Sequence, residues 1–370
     1  MEERIYLSSP HMGEKELEYI NEAFRTNWIS PVGPNIEGFE CDLSLFTDGY
    51  HAAALSSGTA AIHLALIILG VKENDEVICS SFTFSGSCNP IVYLKASPVF
   101  VDSESDTWNM DPELLKVAIA DRITKGKKPK AIILVHLYGM PAKMDEILTI
   151  AREYEIPVIE DAAEALGSKY KGQKLGTFGD IGIFSFNGNK IITTSGGGAL
   201  ISKHLQYIQK AKFLATQARD EAPHYEHSEI GFNYRMSNIC AGIGRGQMTV
   251  LNERINQRRK VYNFYLQNLS QDGISFLEEP KGHFSNRWLT TITLSPEVSV
   301  EHIRIALDRK NIEVRPLWKP MHKQPVFEGV PYYGSGVCEK LFERGLCLPS
   351  GSNLTFEQQN AVIQAIKSLI

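Results

Sequence analysis

The chain has 370 residues, 43% of them hydrophobic and 22% charged, with a formal net charge of -5. That length accommodates one large domain plus a smaller one around a sizeable core. The charge balance and the absence of a basic block exclude a nucleic-acid partner. The start Met1-Glu2-Glu3-Arg4 is acidic and lacks the apolar stretch of a secretory signal, and no apolar run reaches membrane-spanning length. Six scattered cysteines without a Cys-x-x-Cys pair read as reduced thiols, so the expected setting is cytoplasmic, with no membrane partner. His224 and His227 have no companion ligands, and no metal is expected.

From Ala53 onward helical and strand patterns alternate. Gly58 to Leu69 reads as an amphipathic helix, Glu76 to Ser80 as a strand, and Pro98 to Asp102 as a second strand before a helix from Pro112 to about Ile123. Lys130 to His136 is a fully apolar strand, Lys143 to Glu153 a helix, and Val158 to Asp161 a strand again. The alternation predicts an α/β fold, a mostly parallel sheet with helices on both faces. Then the pattern changes. A long helix is predicted over Asn238 to Leu269, with Arg254, Arg258, Arg259 and Lys260 on its wet face. Trp288 to Leu294 alternates like a strand, and Val300 to Lys310 and Thr355 to Ile370 look helical. The expected division is a large domain over 1–250 and a small α+β domain over 251–370, with a ligand cleft between them.

Two strand ends carry the chemistry. The run Ile181 to Phe186 leads into Asn187-Gly188-Asn189-Lys190, then Thr193-Thr194-Ser195 and Gly196 to Gly198. A lysine among small residues just beyond a buried strand is poorly placed for a surface charge and well placed as an amine nucleophile. Pro157 to Glu164 brings Asp161 to the end of another apolar strand. Lysine and aspartate on adjacent strand ends suit a pyridoxal phosphate (PLP) enzyme: the lysine forms the Schiff base, and the carboxylate keeps the pyridine nitrogen protonated. Ser56 to Ala61 opens a helix with small residues and hydroxyls, which serves either as a phosphate seat or as an ordinary N-cap. Phe84, in Ser81-Phe82-Thr83-Phe84-Ser85, either covers a flat cofactor or joins the core. Asp161 taken alone is also compatible with a helix cap, and Glu164 with a solvated carboxylate.

The ordered set Ser57 to Ala61, Ser81 to Phe84, Pro98 to Asp102, Glu160 to Glu164, Phe184 to Phe186 with Lys190, and Gly231-Phe232-Asn233-Tyr234-Arg235-Met236-Ser237 resembles the DegT-type sugar-nucleotide aminotransferases. These are a branch of the fold-type I PLP superfamily, and the likeness runs from about Tyr6 to the C-terminus. It implies an aspartate-aminotransferase-like fold and a PLP-dependent enzyme. Lys190 would be the internal aldimine and proton shuttle, Asp161 the partner of the pyridine nitrogen, and Glu164 a neighbour of the ring's other edge. Gly58, Thr59 and Ser185 would hold the phosphate, with Phe84 on the ring. Asn233 would reach the neighbouring subunit's cofactor, making a homodimer with a shared active site. Asn27, Trp28, Ile29 and Ser30, with Arg315, Pro316, Leu317, Trp318 and His322, would line the sugar-nucleotide site. A diphosphate needs cations, which Arg315, Lys319 and His322 would supply; Pro316 and Pro320 shaping a solvated turn is the plainer alternative.

One departure narrows the likeness. Where many members carry Glu-Gly-Gly after the lysine, this chain has Ser195-Gly196-Gly197-Gly198, with Asn187-Gly188-Asn189 before Lys190. That variant is similar to the branch that aminates UDP-4-keto-6-deoxy-N-acetylglucosamine for glycans and exopolysaccharides, with glutamate as donor. Alternatives are a 3-keto or a GDP- or dTDP-linked sugar, a sugar dehydratase, against which Lys190 speaks, and a non-catalytic regulator that has kept the fold.

Overall fold

The computed structural model describes residues 3–270 and 273–370. Helices α1 (Glu16–Arg25) and α2 (Pro34–Phe46) precede strand β1 (His51–Leu55), followed by α3 (Gly58–Ile68), β2 (Glu76–Ser80), α4 (Asn89–Tyr93), β3 (Ser97–Val101) and α5 (Pro112–Thr124). Next come β4 (Ala131–Val135), α6 (Met144–Glu153), β5 (Val158–Asp161), the short β6 (Lys169–Tyr170) and β7 (Gln173–Lys174), β8 (Ile181–Ser185), β9 (Gly198–Ser202) and α7 (Leu205–Ala215). Helix α8 (Asn238–Leu269) leads to β10 (Ile274–Phe276), β11 (His283–Phe284), β12 (Thr290–Leu294), α9 (Val300–Arg309), β13 (Arg315–Pro316), β14 (Tyr332–Tyr333), α10 (Val337–Arg344), β15 (Gly345–Leu348) and α11 (Phe356–Lys367).

The main sheet has the order β1-β9-β8-β5-β4-β2-β3-β14. β9 runs antiparallel to both its neighbours, and the remaining pairings are parallel. The expected mostly parallel α/β sheet is therefore present. Apolar runs such as Ala131–Val135 are buried along their whole length because helices cover both faces. Two hydrophobic cores follow, one on each side of the sheet. α3 differs from its expected amphipathic form. From Ala60 to Leu66 every residue is buried, so it is a core helix carrying no wet stripe.

A second, antiparallel sheet, β10-β12-β15-β13, packs with α9, α11 and the last turns of α8. α8 is the spine between the two lobes. Ser237 caps it by accepting from Cys240 N, and its 32 residues span about 48 Å. A Cβ at Gly246 would stand 2.6 Å from Glu16 N, so the close crossing of α1 over α8 requires glycine there. The basic stripe expected on its wet face is corrected: Arg254 and Arg258 are buried, 4% and 1% exposed. Two exchanges tie the lobes. Ile5 bridges Ile312 in the small lobe, and β14 adds an outer strand to the large sheet. Asp102, at the end of β3, accepts from the backbone N–H groups of Ser335, Gly336, Val337 and Cys338, clipping the start of α10 to the large lobe.

No helix among the described residues is long and apolar enough to cross a membrane, and no group of three or more potential metal ligands occurs among them.

Candidate active site

A cavity of about 390 Å³ opens where the C-terminal ends of β5 and β8 meet the N-terminus of α3. Gly58, Thr59, Phe84, Asp161, Glu164, Ser185, Lys190 and Trp318 all line it. Strand geometry explains the first group. Asp161 and Ser185 are the last residues of the neighbouring strands β5 and β8, so both side chains emerge at the same edge of the sheet. Ligands in open α/β sheets sit at such an edge.

Asp161 is 5% exposed. Its Oδ1 accepts from Ala163 N at 3.1 Å and its Oδ2 from Ser87 Oγ at 2.6 Å. Ser87 Oγ also lies 2.8 Å from Thr83 Oγ1. Since the Ser87 hydroxyl has one proton and gives it to Asp161, Thr83 must be the donor in that second bond. The relay Thr83 to Ser87 to Asp161 therefore ends on the carboxylate as acceptor.

Lys190 follows β8 in a turn closed by its own N–H to Asn187 O at 3.0 Å. Its Nζ stands 3.6 Å from Glu164 Oε1 and 3.9 Å from the centroid of the Trp288 ring. Glu164 Oε2 accepts from Tyr138 N at 2.7 Å. Burial pushes the Glu164 carboxyl up, more than the nearby Lys190 ammonium and the Tyr138 N–H bring it down. Tyr138 adopts a left-handed backbone (φ 51°), which aims its N–H at Glu164, and its hydroxyl accepts from Trp318 N at 2.9 Å.

At the opposite end, Ser57 caps α3 by accepting from Ala60 N. The N–H groups of Gly58 and Thr59 are thus left without partners inside the helix. Side-chain room is tight here. A Cβ on Gly58 would reach 3.3 Å from Ser185 Cβ, and one on Gly198 would stand 2.3 Å from Gly58 N. Thr59 and Ser185 hydroxyls, free N–H groups and the positive end of the helix dipole converge on one spot.

The other expected site residues lie elsewhere in this chain. Asn27, Trp28, Ile29 and Ser30 are exposed on the link from α1 to α2, pinned by Asn238, whose Nδ2 donates to Trp28 O at 2.7 Å and whose N donates to Ser30 O. Asn233 is exposed and bridges Thr216. Arg315 is exposed beside Glu313, at 2.8 Å. Pro316 sits in β13, and Leu317 is buried with Phe82 and Tyr138. His322 lines no part of the cavity. Its Nδ1 lies 2.7 Å from Ser81 Oγ, its Nε2 3.0 Å from Glu339 Oε1, and its ring stacks on Tyr332 at 3.6 Å. His322 is thus engaged at both ring nitrogens, by Ser81 just past β2 and by Glu339 of α10.

Sequence reasoning missed Ser87, Tyr138 and Trp288. Ser87 lies just past the quoted Ser81–Ser85 stretch, where a hydroxyl gives no distinctive signal. Trp288 was expected only as a strand start; it bonds Asn189, 99 residues away in sequence, and no spacing rule reports that.

A family model for the DegT/DnrJ/EryC1/StrS aminotransferase family matches residues 10–367. The chain belongs to this family. It is 54% identical to EpsN of Bacillus subtilis (strain 168), assigned by its name to the pyridoxal phosphate-dependent aminotransferases, over 100% of this chain and 96% of that one. It is 39% identical to GDP-perosamine synthase of Escherichia coli O157:H7, over 98% and 97% of the two chains. Among solved structures, the PLP form of Spr1654 from Streptococcus pneumoniae superposes with a TM-score of 0.91 at 27% identity, covering 99% of this chain and 98% of that one. The protein is a PLP-dependent aminotransferase.

The residues present fit that cofactor. The cavity offers a partly buried amine, a buried carboxylate with its own hydrogen-bond donors, and an anion seat made of free backbone N–H groups. The half-exposed Phe84 ring stands at its rim, 5.4 Å from the Trp318 ring.

Proposed function

We propose that the protein transfers an amino group from glutamate to the 4-keto carbon of a UDP-linked 4-keto-6-deoxy-N-acetylhexosamine, for glycan or exopolysaccharide biosynthesis. The observation that carries the amino-transfer part is the meeting, in one cavity, of the Lys190 amine, the Asp161 carboxylate and the open N-terminus of α3. When bound, PLP supplies an electron sink that stabilises negative charge on the carbon beside its nitrogen.

In this reading Lys190 bears the cofactor and its Nζ carries the proton removed from the donor and returned to the product. Asp161, held in place by donors from Ser87 and Ala163, pairs with the pyridine nitrogen. Gly58, Thr59 and Ser185 hold the phosphate, and Phe84 covers the ring. Glu164 keeps the Lys190 ammonium close to the cavity when the amine is free. The nucleotide end is assigned to Arg315 and Trp318 of one subunit and to residues 27–30, with Asn233 reaching a partner's cofactor phosphate. The exposure of Asn27 to Ser30 and of Asn233 in a single chain is compatible with a homodimer that shares its sites.

Support for a UDP-linked sugar comes from the segments flanking Lys190, Asn187-Gly188-Asn189 and Ser195 to Gly198. A second reading, a GDP-linked keto sugar, is favoured by the relative named GDP-perosamine synthase. Incubating the PLP-loaded protein with glutamate and a panel of UDP- and GDP-linked 3-keto and 4-keto sugars separates them. Release of 2-oxoglutarate with a UDP-linked 4-keto sugar, and a 4-amino product by NMR, is the expected result; preference for a GDP-linked sugar installs the second reading. Binding without turnover across the panel overturns both and leaves a regulator.

A further inference from the structure

Arg258 has an unusual environment for a guanidinium. It is 1% exposed, and its recorded hydrogen-bond acceptors are neutral oxygens: Trp288 O for Nη1, and Ser8 Oγ (2.9 Å) and Lys190 O (3.3 Å) for Nη2. Among the described residues no carboxylate pairs with it; such a cation is costly to desolvate, and burial lowers the affinity of this group for its proton. An apolar side chain would fill the space at less cost, so the charge is retained for what it holds.

What it holds is a closed ring of hydrogen bonds. Ser8 Oγ donates to Asn189 O at 2.7 Å, and Trp288 Nε1 donates to the same carbonyl at 2.7 Å. Arg258 closes the circuit by donating to Trp288 O and Ser8 Oγ. Four separate stretches of chain meet here: the N-terminal strap, the lysine turn, α8 and the entry to β12. Both ends of the Lys190 side chain are referred to this ring. Its own carbonyl is bonded to Arg258, and its Nζ lies 3.9 Å from the centroid of the indole that the ring immobilises.

We propose that the Trp288 indole, oriented by Arg258 and Ser8, is the resting seat of the Lys190 ammonium during the part of the cycle in which lysine is not bonded to the cofactor. Once released from the cofactor, the Lys190 amine would take up the proton removed from the donor and would need a site that keeps it within reach. The indole face attracts the ammonium, and Glu164 at 3.6 Å completes the seat. Trp288 and Arg258 are positioning residues: they act through Lys190. The proposal rests on the reading of Lys190 as the cofactor-bearing amine.

The test is an equilibrium titration of the PLP-loaded enzyme with glutamate at fixed 2-oxoglutarate, following the visible band of lysine-bound cofactor. Trp288→Leu removes the seat, so the glutamate concentration that halves the band rises by roughly three- to thirty-fold. Trp288→Phe keeps an aromatic face and gives a smaller rise. Arg258→Met and the milder Ser8→Ala, which opens the ring at one corner and takes away one of the three acceptors of Arg258, shift the midpoint in the same direction. Thermal melts verify that each variant is folded, and Ser8→Ala and Trp288→Phe keep the question answerable if Arg258→Met is not. An unchanged midpoint in folded Trp288→Leu overturns the seat; an unchanged midpoint in folded Ser8→Ala, or in folded Arg258→Met, overturns the role of the ring. Lys190→Ala tests the underlying reading separately: retention of the lysine band there would overturn that reading, whatever Trp288 does.

Discussion

The strand-end cluster of Asp161, Ser185 and Lys190 and the segment from Arg315 to His322 both carry charged or polar residues of the kinds an aminotransferase needs, yet the fold treats them differently. In the first, the side chains are delivered to the cavity by strands whose ends coincide, and each keeps an atom directed at it. In the second, Arg315 pairs with Glu313, His322 is bonded on both ring nitrogens, Leu317 is core, and Trp318 alone of the residues assigned to the nucleotide site there reaches the cavity. A strand end aims its residues by local geometry, whereas a loop charge is free or consumed according to partners that arrive from far along the chain.

The largest effect expected on this contrast is at Lys190. Lys190→Ala should lower turnover by about 10³- to 10⁴-fold or more, as loss of a proton carrier does, and abolish the absorbance of lysine-bound cofactor. Normal turnover in that variant would remove the strand-end cluster from the chemistry altogether. Asp161→Asn should cost roughly 10²- to 10³-fold in kcat with little change in KM for the sugar, the scale of losing one preorganised group in a dry site. Ser87→Ala, which leaves one Asp161 oxygen without its donor, should cost about ten-fold, in line with a hydrogen bond to a charged group.

The loop segment should respond in another currency. Arg315→Ala is expected to raise KM for the nucleotide sugar by about ten-fold at unchanged kcat if its exposed guanidinium meets the diphosphate; steady-state kinetics that leave KM alone would reduce it to a surface ion pair with Glu313. His322→Ala should instead lower stability by about 1–3 kcal/mol in denaturant melts, with KM maintained, because it strips partners from Ser81 and Glu339. A KM effect at constant stability would return His322 to the substrate site.

The smallest effect concerns Glu164. Burial raises its proton affinity in the fold, so as pH rises past the ordinary carboxylate range the native state gives up this proton later than the unfolded chain does. Stability drawn from this group is full below the unfolded carboxylate range and is lost as pH rises through the folded value. Glu164→Gln should therefore flatten the fall in Tm of the cofactor-free protein as pH rises above the ordinary carboxylate range. A steeper fall in the variant would mean that Lys190 outweighs burial.

Much of the architecture was legible in the sequence. The predicted strand Val158 to Asp161 and the predicted helix Asn238 to Leu269 match the observed elements end to end, the first because its apolar run is short and bounded, the second because Ser237 supplies a cap signal. β1 and β9 carried weaker signals, since alanine- and glycine-rich segments such as His51–Leu55 and Gly198–Ser202 owe their strand form to pairing with each other. The basic stripe of α8 misled for a related reason. Arg254 and Arg258 follow helical spacing like surface residues, but the N-terminal strap and the β12 entry fold over them.

By itself, then, the sequence determined the alternating α/β layout and the presence of an amine and a carboxylate at neighbouring strand ends, because hydrophobic periodicity and strand termination are local properties. Only the tertiary structure decided what surrounds that amine. Trp288, Glu164 and Arg258 reach Lys190, and Ser8 reaches its neighbour Asn189, from four remote stretches, and the fate of each depends on which hydrogen-bonding groups the packed fold leaves unpaired. Such contacts are set by burial and long-range closure, quantities that no window of the chain contains.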